Sequence, residues 1–254
     1  MKKTEINYQL KTLVILPHLD DEFAIVPIIK KFTSLKRSSL RFIYCAERNE
    51  SNLLKTKRRR ENIKALDFLG CSEAQIVYLN DYFIVDDLKL FQAASAIYNF
   101  LNDFIKRAQI KQIITLNFEG GHPDHDALAL VVQKFTKKYE SINPFFVPAY
   151  NYRKTMFFPV SVFRPLITQQ DFFNKESYSI FVWIDAIRVA FFYSTERHAF
   201  IKLMPFIVCK ALFSRSIYLA SKFDVNTVDW SKSLSLRRYC VDKYDLINEI
   251  QRLD

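Results

Sequence analysis

The chain has 254 residues, half of them hydrophobic and a quarter charged, which is enough apolar content for one sizeable core and too much for a disordered segment. Its net charge is +10, unevenly spread: the first 60 residues hold 14 Lys and Arg against 6 Asp and Glu, whereas 61–150 is net acidic. Its three glycines, at 70, 120 and 121, exclude a GxGxxG dinucleotide loop and a GxxxxGKS/T phosphate loop, and its four scattered cysteines form no CxxC pair, so a reduced, cytoplasmic protein is expected.

Met1 to Lys11 is polar and charged and carries no signal-peptide pattern. Residues 12–17 read as a buried strand that runs into Pro17-His18-Leu19-Asp20-Asp21-Glu22, and 22–35 as a helix. Residues 40–46 read as a second strand, 53–69 as a helix stopped by Gly70, and 75–79 as a third strand. Apolar residues at 90, 93, 94, 97, 100, 101, 104 and 105 give the helical period over 88–105. A fourth strand, 111–116, leads to Gly120-Gly121-His122-Pro123-Asp124-His125-Asp126 and then to a helix over 124–139. Strands alternating with helices predict an α/β fold with a doubly wound, mostly parallel sheet. After Ser141 aromatics and prolines crowd into 144–173, which reads as strands and loops, and 178–220 reads as two apolar helices joined near 194–197. The last 30 residues show no clear pattern. The organisation expected is a core over 1–143 and an aromatic-rich C-terminal extension over 144–254, completing the same domain and its substrate pocket. Arg188, Lys202 and Lys210 break the apolar runs and argue against a spanning helix; 199–220 fits a core helix or one lying on a membrane surface.

Each acid-rich cluster follows an apolar run, so each lies at a strand end. In an open α/β sheet the carboxyl ends of the strands line the ligand crevice. His18 and Asp21 are three apart at a strand-to-helix turn, and His125 approaches from the other cluster. Two histidines and a carboxylate leave positions open for water and substrate, as a catalytic metal requires; zinc is the default, and Fe(II) suits the same donors. Asp20 lies beside them as a general base. His122 is placed to stabilise an oxyanion or protonate a leaving group, and Asp124 to orient one of the histidines. The plainer alternative is that these acidic residues only cap helices. Lys57 to Arg60 reads as a solvated helix face and not as a nucleic-acid platform, and His198 as structural.

The two clusters together resemble the paired signatures of the PIG-L/LmbE-like N-acetylglucosamine deacetylases, written A/P-HPDDE and GxHPDH, over about residues 10–140. The resemblance implies a Rossmann-like fold, a zinc ion and hydrolysis of a sugar acetamide. It implies metal ligands at His18, Asp21 and His125, a general base at Asp20 and a transition-state-stabilising histidine at His122. Arg58-Arg59-Arg60-Glu61, leading to Leu69-Gly70, resembles the family's R-x-x-E helix and implies a substrate contact at Arg58. Asp81, after the third strand, resembles a second family position, and Tyr193-Ser194-Thr195-Glu196 is similar to a family helix end. Leu19 stands where proline is usual, and the loop Ala46 to Glu50 lacks the family's glycine. The expected function is release of acetate from an N-acetylated sugar, free or carried on a nucleotide, a lipid or a small metabolite, without nucleic acid; if 199–220 lies on a membrane surface, the contact is peripheral and at its inner face. Two rivals stand beside it: a metal-dependent phosphoesterase, which commonly needs more ligands, and an idle membrane- or polyanion-binding module.

Overall fold

The computed structural model describes residues 5–35, 39–152 and 161–253; the basic pair Lys36-Arg37 and part of the aromatic-rich stretch lie outside them. Five strands come first: β1 (Thr12–Leu16), β2 (Leu40–Tyr44), β3 (Ile76–Tyr78), β4 (Gln112–Leu116) and β5 (Asn143–Val147). They are parallel and are joined by α1 (Val26–Ser34), α2 (Asn52–Phe68), α3 (Ala94–Ala108) and α4 (Pro123–Lys138). β1 is buried along its whole length because helices cover both faces of the sheet, which is why its sequence is continuously apolar instead of alternating. Val14 and Leu16 pack with α1, while Leu13 and Ile15 pack with α3 and α4.

The seven-stranded sheet has the order β3-β2-β1-β4-β5-β9-β8, the last two being β9 (Ser216–Ala220) and β8 (Phe173–Ser177). Strand order reverses between β1 and β4, the neighbours that carry the two acid-rich clusters at their carboxyl ends. β9 runs antiparallel to β5, and β8 antiparallel to β9. A short pair, β6 (Tyr150–Asn151) and β7 (Ser161–Val162), stands beside the main sheet.

The helix expected over 22–35 opens as a 3-10 turn, Asp21–Ile25, and becomes α-helical at Val26, where Pro27 sits in the first turn. Proline is tolerated there because its missing N–H would have no partner in any case. The segment expected as helix over 88–105 likewise begins with a 3-10 turn, Leu90–Ala93. The two apolar helices expected over 178–220 are α5 (Ile180–Phe192) and α6 (Arg197–Cys209), with a π-turn at Lys210–Ser214, but 216–220 is strand β9. The patternless tail forms α7 (Leu234–Tyr239) and α8 (Lys243–Gln251), the latter packed on α4.

Candidate active site

At the carboxyl ends of β1 and β4 a cleft of about 540 Å³ opens, lined among others by His18, Asp20, Asp21, Arg48, Arg58, Asp87, His122, His125 and Tyr150. The chain enters it from β1, whose last residues are locked in register with β2, and turns at once into the 3-10 helix. That turn aims the backbone amide and Nδ1 of His18 at one carboxylate oxygen of Asp21, at 2.9 and 3.1 Å. The other oxygen of Asp21 lies 3.3 Å from Nε2 of His125. Asp21 is therefore bracketed by ring nitrogens from both clusters. Burial alone would raise its pKa, but His125 and His18 outweigh burial and hold it well below the carboxylate range.

The far side of His18 is fixed in turn. Its Nε2 lies 3.0 Å from Asp124 and 3.2 Å from Asp87. Burial would lower the His18 pKa, but Asp21, Asp124 and Asp87 together hold it well above the ordinary value. Asp124 is fully buried and also accepts the amides of Leu88 and Leu90, at 2.7 and 3.0 Å. It thus orients His18, not His122. Nδ1 of His122 instead accepts the amide of Asp124 at 3.2 Å, so His122 is the residue that caps α4. This contact leaves the ring proton of His122 on Nε2, the nitrogen free to donate. Burial, and then the charges of His18 and His125, push the His122 pKa well below its usual value.

Asp20 lines the cleft and makes no capping hydrogen bond, although it occupies the cap position of the 3-10 turn. Burial, then the charges of Asp21 and Glu196, raise its pKa to about 6 against the opposing pull of His18 and Arg58. Glu22, its neighbour in the cluster, turns away into the core, where it accepts from Tyr44 at 3.0 Å and from Tyr193.

Among the described residues, two groups of three donors lie mutually close, His18-His122-His125 and His18-Asp87-Asp124. Nδ1 of His122 and the carboxylate of Asp124 are held by backbone amides, while Asp21 stands outside both groups and links them, its two oxygens near the rings of His18 and His125. The chemistry of that set fits a divalent ion such as zinc. Asp124 on the far nitrogen of His18 is the kind of carboxylate contact that would fix the ring of a metal-binding histidine.

Arg58 reaches the cleft from α2 and is buried, ion-paired to Glu196, which also receives Nη1 of Arg48 at 2.8 Å. One turn on, Glu61 accepts from Ser194 at 2.6 Å and from Thr195. The R-x-x-E spacing thus anchors the loop that holds Glu196. Asp81 is not brought to the cleft: it is 52% exposed and paired with Arg59 at 2.8 Å. Sequence reading missed Asp87, Arg48, Tyr150 and Tyr239. Asp87, Arg48 and Tyr150 follow β3, β2 and β5, so the strand-end rule could have raised them. Tyr239, whose ring lies 4.9 Å from that of His122, comes from α7 and has no local signal. Gly121 is required where it is, because a Cβ there would stand 2.0 Å from the carbonyl oxygen of Tyr150.

No curated protein sequence matches the chain. Among solved structures, the A40926 pseudoaglycone deacetylase Dbv21 is 15% identical and aligns over 84% of this chain and 97% of its own, with a TM-score of 0.60. A deacetylase of teicoplanin biosynthesis, in complex with teicoplanin, is 11% identical over 85% of this chain and 99% of its own, with a TM-score of 0.57. The N,N'-diacetylchitobiose deacetylase of Pyrococcus horikoshii is 17% identical over 85% of this chain and 83% of its own, with a TM-score of 0.54. At these identities the likeness is one of fold. The model of the family PIG-L, described as GlcNAc-PI de-N-acetylase, matches residues 13–136, the span that holds both acid-rich clusters. Residues 13–136 of this chain are a PIG-L domain.

Proposed function

We propose that the protein is a metal-dependent hydrolase that removes the acetyl group from an N-acetylated amino sugar, giving acetate and a free amine. The observation that carries this reading is Asp20, a cleft carboxylate with a raised pKa and no capping role, beside the bracketed set of His18, Asp21 and His125. An unpaired base next to three ligand-type groups suits hydrolysis better than binding alone. A zinc or ferrous ion held by His18, Asp21 and His125 would polarise the acetamide carbonyl and acidify the attacking water.

The protein's own groups supply the proton traffic. Asp20 takes the proton of the attacking water as its oxygen bonds to the carbonyl carbon. His122 offers its Nε2–H to the oxyanion that develops on the carbonyl oxygen. The C–N bond then breaks, and protonated Asp20 delivers the proton it took from water to the leaving amine, while the oxyanion re-forms the carbonyl of acetate. Arg58 and Arg48 hold Glu196 at the cleft wall, and Lys202 and Arg238 stand near its mouth, a setting that suits an anionic carrier such as a nucleotide or a phospholipid. The free cysteines suit a reducing, cytoplasmic setting.

The test is acetate release by zinc- or iron-loaded protein from a panel of N-acetylated sugar conjugates. Turnover of at least one, abolished by a chelator, supports the reading. Hydrolysis of phosphoesters in its place would overturn it. His125→Ala should lose most of its tightly bound metal by elemental analysis, and a full equivalent retained would refute the ligand set.

A further inference from the structure

The hairpin of α5 and α6 carries apolar side chains on its outer face as well as its inner one. α5 buries Trp183, Ala186, Val189 and Ala190, while Phe181, Ile184, Arg188 and Phe191 form its exposed stripe at helical spacing, with Phe181 at 74% and Phe191 at 76%. α6 buries Phe200 and Ile207 and exposes Ile201 and Val208. The π-turn extends that row with Leu212 and Phe213, the latter 83% exposed. The amide of Tyr178 donates to the carbonyl of Arg215 at 2.7 Å, so the start of α5 and the end of the π-turn, and with them Phe181 and Phe213, lie at one end of the hairpin. Large apolar side chains exposed in this number on one hairpin mark a contact surface.

Charge identifies the partner. Between Glu196 and Asp224 there is no acidic residue, and Arg197, Lys202, Arg215 and Lys222 are all exposed. A second copy joined through this face by a two-fold axis would set like basic flanks against each other. A bilayer with acidic headgroups offers hydrocarbon for the phenylalanines and anions for the flanks at once. No helix among the described residues is long and apolar enough to cross a membrane. α6 also lends Ala199, Lys202 and Leu203 to the cleft wall, so contact on its outer side lies beside the cleft mouth.

We infer that the outer face of the α5–α6 hairpin docks peripherally on an anionic phospholipid bilayer. The docking goes beyond the deacetylase reading and stands without it, since it needs neither substrate nor turnover. The full chain is sedimented with vesicles of phosphatidylcholine alone and with vesicles containing phosphatidylglycerol, at low and high salt. Binding is expected to the anionic vesicles, to fall about tenfold between low and high salt, and to weaken about tenfold or more in Phe181→Ser/Phe213→Ser. Neither residue lines the cleft, and an unchanged thermal midpoint of the double variant would show that it folds. Three results overturn the inference: wild-type protein left in the supernatant with anionic vesicles at low salt, a double variant that folds and binds like wild type, or light scattering that shows a dimer abolished by the double variant.

Discussion

Burial would raise Asp21 and Asp20 alike, yet His125 and His18 hold the first well below the carboxylate range while the second stands at about 6. Two adjacent residues are thereby divided into a ligand-type anion and a base with appetite for a proton. On the proposed reading, Asp20→Asn should keep the fold, because the carboxylate makes no capping bond, leave metal content unchanged, and lower turnover by about 10²–10⁴-fold. Near wild-type acetate release with unaltered metal content would return Asp20 to a structural role. The residues legible in the sequence were those whose chemistry restricts both type and spacing, namely His18, Asp20, Asp21, His122 and His125. Asp87 and Tyr239 were hidden because the fold, not local spacing, delivers them. The glycines carried a legible signal too. Gly121→Ala should cost about 1–3 kcal/mol, the usual range for overpacking, because its Cβ would meet the Tyr150 carbonyl. An unchanged unfolding midpoint would mean that β6 yields without cost.

At the level of single elements, the central strands and helices could be read because burial on both faces imposes long apolar runs. Their first turns could not, since 3-10 and α-helical starts share one pattern of apolar spacing. β9 was read as helix for a related reason: Ser216–Ala220 continues an apolar run, and nothing local reveals that Arg215, at φ 49°, reverses the chain. The π-turn before it buries Lys210, whose amine donates to the carbonyl of Ser216 at 2.8 Å. Burial, then the nearby charges of Arg164 and Lys175, bring its pKa down to about 7. An unfolded lysine titrates near ~10.4, so between the two values the unfolded chain holds a proton that the folded chain lacks, and stability rises with pH across that window. Each tenfold loss of proton affinity on folding costs about 1.4 kcal/mol where the unfolded lysine is charged. Lys210→Met should therefore stabilise the protein at pH 7 by about a few kcal/mol, less the one hydrogen bond it gives up, with the gain shrinking toward pH 10. Thermal unfolding at about pH 7 and about pH 9.5, toward the two ends of that window, reads both effects. A gain independent of pH would refute the charge argument.

For the whole molecule, the PIG-L match ends at residue 136, but the packing does not. Phe223 and Trp230 stack on Phe118, and Leu246 and Ile250 join the core beneath α4. Asp126 accepts the amides of Glu119 and Gly120 and the hydroxyl of Ser235, so the C-terminal segment fastens the glycine loop of the cleft. A chain ending at residue 141 should therefore fail to unfold cooperatively and should bind ANS, because its exposed core cannot be covered from within. A cooperative thermal transition in that fragment would show that residues 1–141 fold without the rest.

The order of the sheet leaves β3 and β8 as its rims. A rim strand offers unpaired amides and carbonyls to any copy that meets it, a hazard that grows where molecules gather on a surface. β3 is only three residues long, and β8 carries the charged pair Lys175 and Glu176. Neither margin is a good template for stacking, which disfavours edge-to-edge growth of crowded copies into a fibre.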